Sequence, residues 1–197
     1  MAGETMNDLY LSELRDLYSS EQQLVKALPK LAKNADSEEL AEAINTHLEE
    51  TKNQVARLEQ IFESLGESPK GKKCVGMEGI LKEGAEGLEE FEGSVLDAAM
   101  IASAQRVEHY EMAAYGTVCA FAELLERNDD LGLLKETLEE EKKADEKLTQ
   151  ISETVNQNAM DEFSEEGERA ESTDEEGTEQ RSSNRKQPSR SRKSRAA

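Results

Sequence analysis

Apolar residues recur along this chain at alternating steps of three and four, the spacing of one face of an α-helix. Four long segments carry the pattern. The first runs from about Thr5 to Asn34 on a seam of Tyr10, Leu14, Leu17, Leu24, Leu28 and Leu31, with Pro29 expected to kink it or alter its last turn. The second begins at "DSEE", where Asp36 and Glu39 have capping-box spacing, and stops before Gly66, with Leu40, Ile44, Val55, Leu58, Phe62 and Leu65 facing inward. The third, about Ser94 to Arg127, uses Met100, Ala104, Val107, Ala114, Val118, Phe121 and Leu125. "RNDD" turns the chain into the fourth, about Leu131 to Gln157, on Leu134, Leu138, Leu148 and Val155.

The connections decide the architecture. The first and second helices, and the third and fourth, form tight hairpins, while a crossing of about 30 residues joins the two pairs and holds a weak short helix over "MEGILKEGAEGLEEF". An up-and-down bundle needs only short loops; one long crossover is the ferritin-like arrangement of four helices. The expected fold is therefore all-α: a ferritin-like four-helix bundle over residues 1–160. Residues 161–197 have almost no apolar side chains to offset the entropy of ordering them and are expected to be a disordered tail.

The seams are not purely apolar. Glu21 interrupts the first, His47 the second, Glu111 the third, and Glu141 and Asp145 the fourth. Glu50 shares a face with His47, and Glu108 with Glu111, each three residues away. Residues equally distant from a hairpin turn lie at one level, which sets Glu21 opposite Glu50, Glu111 near Glu141 and Lys142, and Glu108 near Asp145. Several carboxylates buried at one level repel one another, and each uncompensated charge costs several kcal/mol. Two divalent metal ions would neutralise them, and a carboxylate and imidazole set suits iron or manganese. Glu21, His47, Glu50, Glu108, Glu111, Glu141 and Asp145 are the candidate ligands, with Asp145 and Glu108 able to act instead as orienting groups. Tyr18 and Tyr115 each lie one turn from an acid and are expected to be core residues with a satisfied hydroxyl.

Composition narrows the remaining classes. With aromatics at 4% and no tryptophan, the chain has the make-up of long helices. Its formal charge of -20 opposes nonspecific contact with nucleic acid or an anionic membrane and favours cations. The tail is bipolar: residues 161–180 hold ten acids and one arginine, residues 181–197 seven bases and no acid. That basic end allows at most weak, salt-sensitive contact with DNA. Cys74 and Cys119 form no disulfide framework and no CxxC pair; Cys119 reads as a small buried hydrophobe and Cys74 as a loop residue without a visible partner. Nothing approaches a membrane span or a secretory leader, so a cytoplasmic location is expected.

The segments "LYLSELRDLYSSEQQLVKALPKLA", "HLEETKNQVARLEQIF", "QRVEHYEMAAYGT" and "TLEEEKKADEKLT" together resemble the YciE/YciF family of ferritin-like bacterial stress proteins, over about residues 7–155. The resemblance implies a homodimer, a di-iron centre and a ferroxidase activity using oxygen or peroxide. Related di-iron bundles place one Glu on each of two helices and Glu-x-x-His on each of the others. Here the second helix reverses the order, His47 then Glu50, and the fourth has Glu141 and Asp145 without a histidine. Glu108 and Glu111 on the third are similar to rubrerythrin-like proteins, where an extra Glu stands in for a missing ligand. The expected function is a di-iron Fe(II) oxidase; the alternative is a non-catalytic metal-binding or dimeric scaffold protein.

Overall fold

The computed structural model describes residues 5–183, with side-chain surroundings through residue 164. It comprises α1 (Met6–Asn34), α2 (Glu38–Leu65), a short α3 (Val75–Glu90), α4 (Gly93–Leu124) and α5 (Asn128–Ser183). There is no strand among the described residues, and none of their helices is long and apolar enough to cross a membrane. The long helices form a bundle, with α3 lying in the crossover.

Local chemistry sets the helix ends. Thr5 caps α1 through a capping box with Asp8, and α1 continues past Pro29 to Asn34. Ser37, not Asp36, caps α2: its side chain accepts from the Leu40 amide. The reason lies on another helix. Asp97 of α4 is buried, and its two carboxylate oxygens accept the backbone N–H groups of Asp36 (3.0 Å) and Ser37 (2.7 Å), so the α1–α2 turn is clamped from outside. Asp97→Ala should leave both amides without that acceptor and cost about 1–3 kcal/mol, read as a lower urea midpoint at unchanged helical content. An unchanged midpoint would remove the clamp. At the other end of α2, Gly66 takes the left-handed conformation at φ 66° while the Glu67 amide reaches back to the Phe62 carbonyl, closing the last turn.

The second hairpin turns earlier than "RNDD" predicts. α4 ends at Leu124, Glu126 takes a left-handed φ of 58°, and α5 already begins at Asn128. The glycines of α3 also have a use beyond weakening it. A Cβ at Gly76 would meet the Tyr110 ring at 2.8 Å, and one at Gly84 would collide with Ser103 Oγ, so both let α3 lie close against α4.

The core is divided. One apolar cluster gathers Leu24, Leu28, Ile44, Met100, Val107 and Ile151 with their neighbours. The other gathers Leu14, Leu17, Leu58, Phe62, Val118 and Leu134 with theirs. In sequence, both clusters stop short of the same level on every helix, and the buried polar residues Ser20, Glu21, His47, Thr51, Gln54, Glu108, Glu111, Thr137 and Glu141 occupy it.

The inward faces differ locally from the seams read in the sequence. Beyond Glu111 the buried side of α4 follows Tyr115, Val118, Cys119 and Ala122, rather than Ala114, Phe121 and Leu125. On α5 it passes through Thr137 and Ile151, with Leu138 only partly buried. Strict heptad stepping drifts relative to a helix of 3.6 residues per turn, and over 32 residues of α4 the drift amounts to a change of face.

Contacts divide the chain into two units, Met1–Ala159 and Met160–Ala197. The backbone of α5 is helical to Ser183. The sequence predicts no ordered core there; Glu, Gln, Arg and Ala favour helix by local propensity alone. Of the basic end 181–197, residues 184–197 lie outside the described residues.

Candidate metal centre

Helical periodicity brings the polar layer together from all four long helices. His47 on α2, Glu108 and Glu111 on α4, and Glu141 on α5 each present a possible ligand atom within 4.8 Å of the others, and all four are buried. His47 Nε2 lies 3.5 Å from Glu108 Oε1 and 3.9 Å from Glu141 Oε2. These distances are too long for hydrogen bonds but suit donors surrounding a small ion.

A pattern runs through the carboxylates. Tyr115 donates its hydroxyl to Glu21 Oε1 at 2.5 Å, Ser20 donates to Glu111 Oε1 at 3.0 Å, and Gln54 donates to Glu141 Oε1 at 2.5 Å. In each case the second oxygen has no hydrogen-bond partner, as do Glu108 Oε2 and both ring nitrogens of His47. Buried polar atoms are nearly always paired, so this many unpartnered oxygens around one imidazole make the level a candidate cation site. Further out, Arg57 holds Glu140 with both its terminal nitrogens, at 2.6 and 2.7 Å, and Gln54 also donates to Glu140, so the strand of contacts behind Glu141 is fixed.

The seven expected ligands do not converge equally. Glu21 is fully buried beside the cluster, pointing to Tyr115 of α4 rather than to Glu50. Glu50 has a side chain 39% exposed and approaches only His47, its Oε2 lying 3.7 Å from Nδ1. Asp145 lies at the edge of the layer with its side chain 21% exposed, near enough to Glu108 to help raise its pKa, and it pairs with His109 at 3.4 Å and accepts from Gln105 at 3.3 Å. Gln54, Ser20 and Arg57 were not foreseen. For Gln54 a signal existed: positions 47, 51, 54 and 58 step along one face, which the seam lost by moving to Val55.

Tyr18 bonds Glu59 at the surface, away from the layer. Cys74, expected to be alone in a loop, is buried as the cap of α3; its sulfur lies 2.9 Å from the Tyr110 hydroxyl, which donates to Asp16. Burial raises its thiol pKa, so the contact is structural.

Electrostatics follow from burial. Loss of solvent pushes Glu21 and Glu141 up to about 7 against the lowering effects of Tyr115 on Glu21 and of His47 on both. Burial and neighbouring acids hold Glu108 and Glu111 well above the usual carboxylate range. For His47 burial acts to lower the pKa, but Glu108, Glu50, Glu141 and Glu21 outweigh it and raise it to about 10. Without a metal the layer holds protons; a cation entering it would displace them.

Comparison with known proteins agrees with the fold. Residues 5–160 match the DUF892 family, described as a domain of unknown function. The chain is 48% identical over 151 residues to protein YciF of Escherichia coli, covering 76% of this chain and 91% of that protein. This chain belongs to the YciF (DUF892) family. The crystal structure of the E. coli stress protein YciF superposes with a TM-score of 0.76 at 46% identity, covering 79% of this chain and 99% of that one. The YciF-family fold recurs in YcfI of Rhodopseudomonas palustris, a candidate structural protein, with a TM-score of 0.72 at 47% identity over 74% of this chain and 94% of that one. A Xanthomonas campestris protein shares the fold alone, with a TM-score of 0.67 at 17% identity over 81% of this chain and 99% of that one.

Proposed function

We propose that the polar layer binds divalent transition-metal ions, two irons with manganese as the alternative, and that the protein is a cytoplasmic, homodimeric stress-response oxidoreductase that oxidises Fe(II) with oxygen or peroxide. The observation that carries this reading is the set of unpartnered oxygens on Glu21, Glu108, Glu111 and Glu141 around the imidazole of His47. The donor set fits: imidazole and carboxylate oxygens suit iron and manganese, and no thiolate is among them. The similarity to a stress protein supports the cellular role.

Each residue has a task. His47, Glu108, Glu111 and Glu141 would hold one ion; Glu21 and Glu50, which flank them, would complete a second position. Bound iron would supply a one-electron reductant whose oxidised form the oxygen-rich donors favour. Tyr115, Ser20 and Gln54 hold one oxygen of each carboxylate in place, so little side-chain ordering is left to occur on binding. The apolar clusters pack against the layer from both sides along the bundle.

An anaerobic Fe(II) titration of the metal-free protein, followed by an oxygen pulse, tests the reading. Saturation near two irons per chain with rapid oxygen uptake is expected, and Glu141→Ala should lose the uptake while keeping helical circular dichroism. No saturable binding would end it. The second reading, a binder or scaffold without turnover, draws on the protons that can neutralise the layer by themselves; oxygen uptake that stops at a stoichiometric amount would select it.

A further inference from the structure

A cavity of about 390 Å³ opens beside the polar layer, between α1, α2, α4 and α5. Its walls are mainly aliphatic: Leu28, Leu31, Ile44, Ala104, Ala144 and Leu148. His47, Glu50 and Glu108 line it on the side of the polar layer, and Glu39, Glu42, Thr46, Lys143 and Lys147 also contribute to its lining. A volume of this size lies within the usual range for small-molecule sites, and by comparison with the ~150 Å³ cavity that takes benzene it holds roughly fifteen non-hydrogen atoms.

His47 has two sides. Its Nε2 faces Glu108 and Glu141 in the layer, whereas Nδ1 faces Glu50 at 3.7 Å, too far for a hydrogen bond, and has no other partner although the residue is only 7% exposed. An imidazole nitrogen and a carboxylate separated by that gap can both be satisfied by one group that accepts from the first and donates to the second. A neutral hydroxyl does so. At that gap a carboxylate would meet Glu50 and Glu108 with like charge, Lys147 of the lining being already paired with Glu39, and a hydrocarbon would leave the His47 nitrogen unpaired.

We infer that this cavity is a binding site for a neutral, mostly apolar molecule bearing a hydroxyl, of the phenol or naphthol kind, whose hydroxyl bridges His47 Nδ1 and Glu50 while its body lies along the aliphatic walls. The site goes beyond iron oxidation and stands on the cavity itself, sharing His47, Glu50 and Glu108 with the proposed metal centre. It places an organic molecule beside that centre, where its hydroxyl competes with a second ion for Glu50.

Titrations of the full-length, metal-free protein with 2-naphthol, naphthalene and 2-naphthoate, followed by ligand fluorescence, test it. One 2-naphthol per chain should bind, with naphthalene and 2-naphthoate each at least tenfold weaker. Ala144→Phe and, as an independent filling of the same cavity, Ala43→Phe should weaken 2-naphthol at least tenfold at unchanged circular dichroism, and Glu50→Ala should abolish the preference over naphthalene. Absence of saturable 2-naphthol binding, equal affinity for naphthalene or 2-naphthoate, or indifference to both fillings would overturn the inference. The two readings separate cleanly: iron binding without 2-naphthol binding ends only the organic site, and 2-naphthol binding without iron binding ends only the metal centre.

Discussion

Glu111→Leu should stabilise the metal-free protein by about 1–4 kcal/mol and weaken divalent-metal binding by about 100-fold or more. Glu111 is fully buried, accepts one hydrogen bond from Ser20, and leaves its other oxygen unpartnered among Glu21, Glu108 and Glu141. A leucine there would remove that orphan and join the apolar clusters on either side, while taking one of the four grouped ligands from the metal site. Urea melts with and without Mn(II), together with a metal titration, would read both effects. A variant less stable than the parent without metal would mean that Glu111 is a structural hydrogen-bonding residue, and undiminished metal affinity would exclude it as a ligand.

The second large effect is on pH. Metal-free protein should lose stability as pH rises from about 5 to 8.5, on the order of a few kcal/mol. Glu21 and Glu141 bind a proton up to about 7 in the folded chain but only to the ordinary 4.5 when unfolded, so their contribution is complete below 4.5 and is lost as pH climbs through 7. Glu108 and Glu111 are shifted in the same direction. His47, raised to about 10 from 6.5, contributes below 6.5 and loses that contribution as pH rises through 10. All five therefore slope the same way. Thermal melts across this range should show a falling midpoint, flattened by Glu141→Gln and by saturating Mn(II). A midpoint that rises with pH would contradict the buried, proton-holding layer.

The sequence made the bundle and the existence of a polar level legible because both are periodic. Tyr10, Leu14, Leu17, Glu21, Leu24 and Leu28 face inward as their spacing predicts. Counting from the second turn correctly brought Glu111 and Glu141 together, since that pair lies within one hairpin. Contacts between hairpins were not accessible to such counting. His47 meets Glu108, and Glu21 meets Tyr115, across a relation set by the crossover, for which no turn provides an origin. The same limit hid the acceptor role of Asp97 and the partner of Cys74. Glu50 illustrates another: spacing gives a face, but a flexible side chain at the edge of that face can turn outward.

The placement of the polar layer between two apolar clusters has a mechanical consequence. Helices joined only by aliphatic seams can slip past one another by one turn, about 5.4 Å, and still bury hydrocarbon against hydrocarbon. Here such a slip would drive Glu111 of α4 from the level of Glu141 toward that of Leu138 or Ala144 on α5 and strand Gln54 from Glu141. The acids thus act as an index mark for assembly: only one alignment of the four rods lets every charged group find its own level.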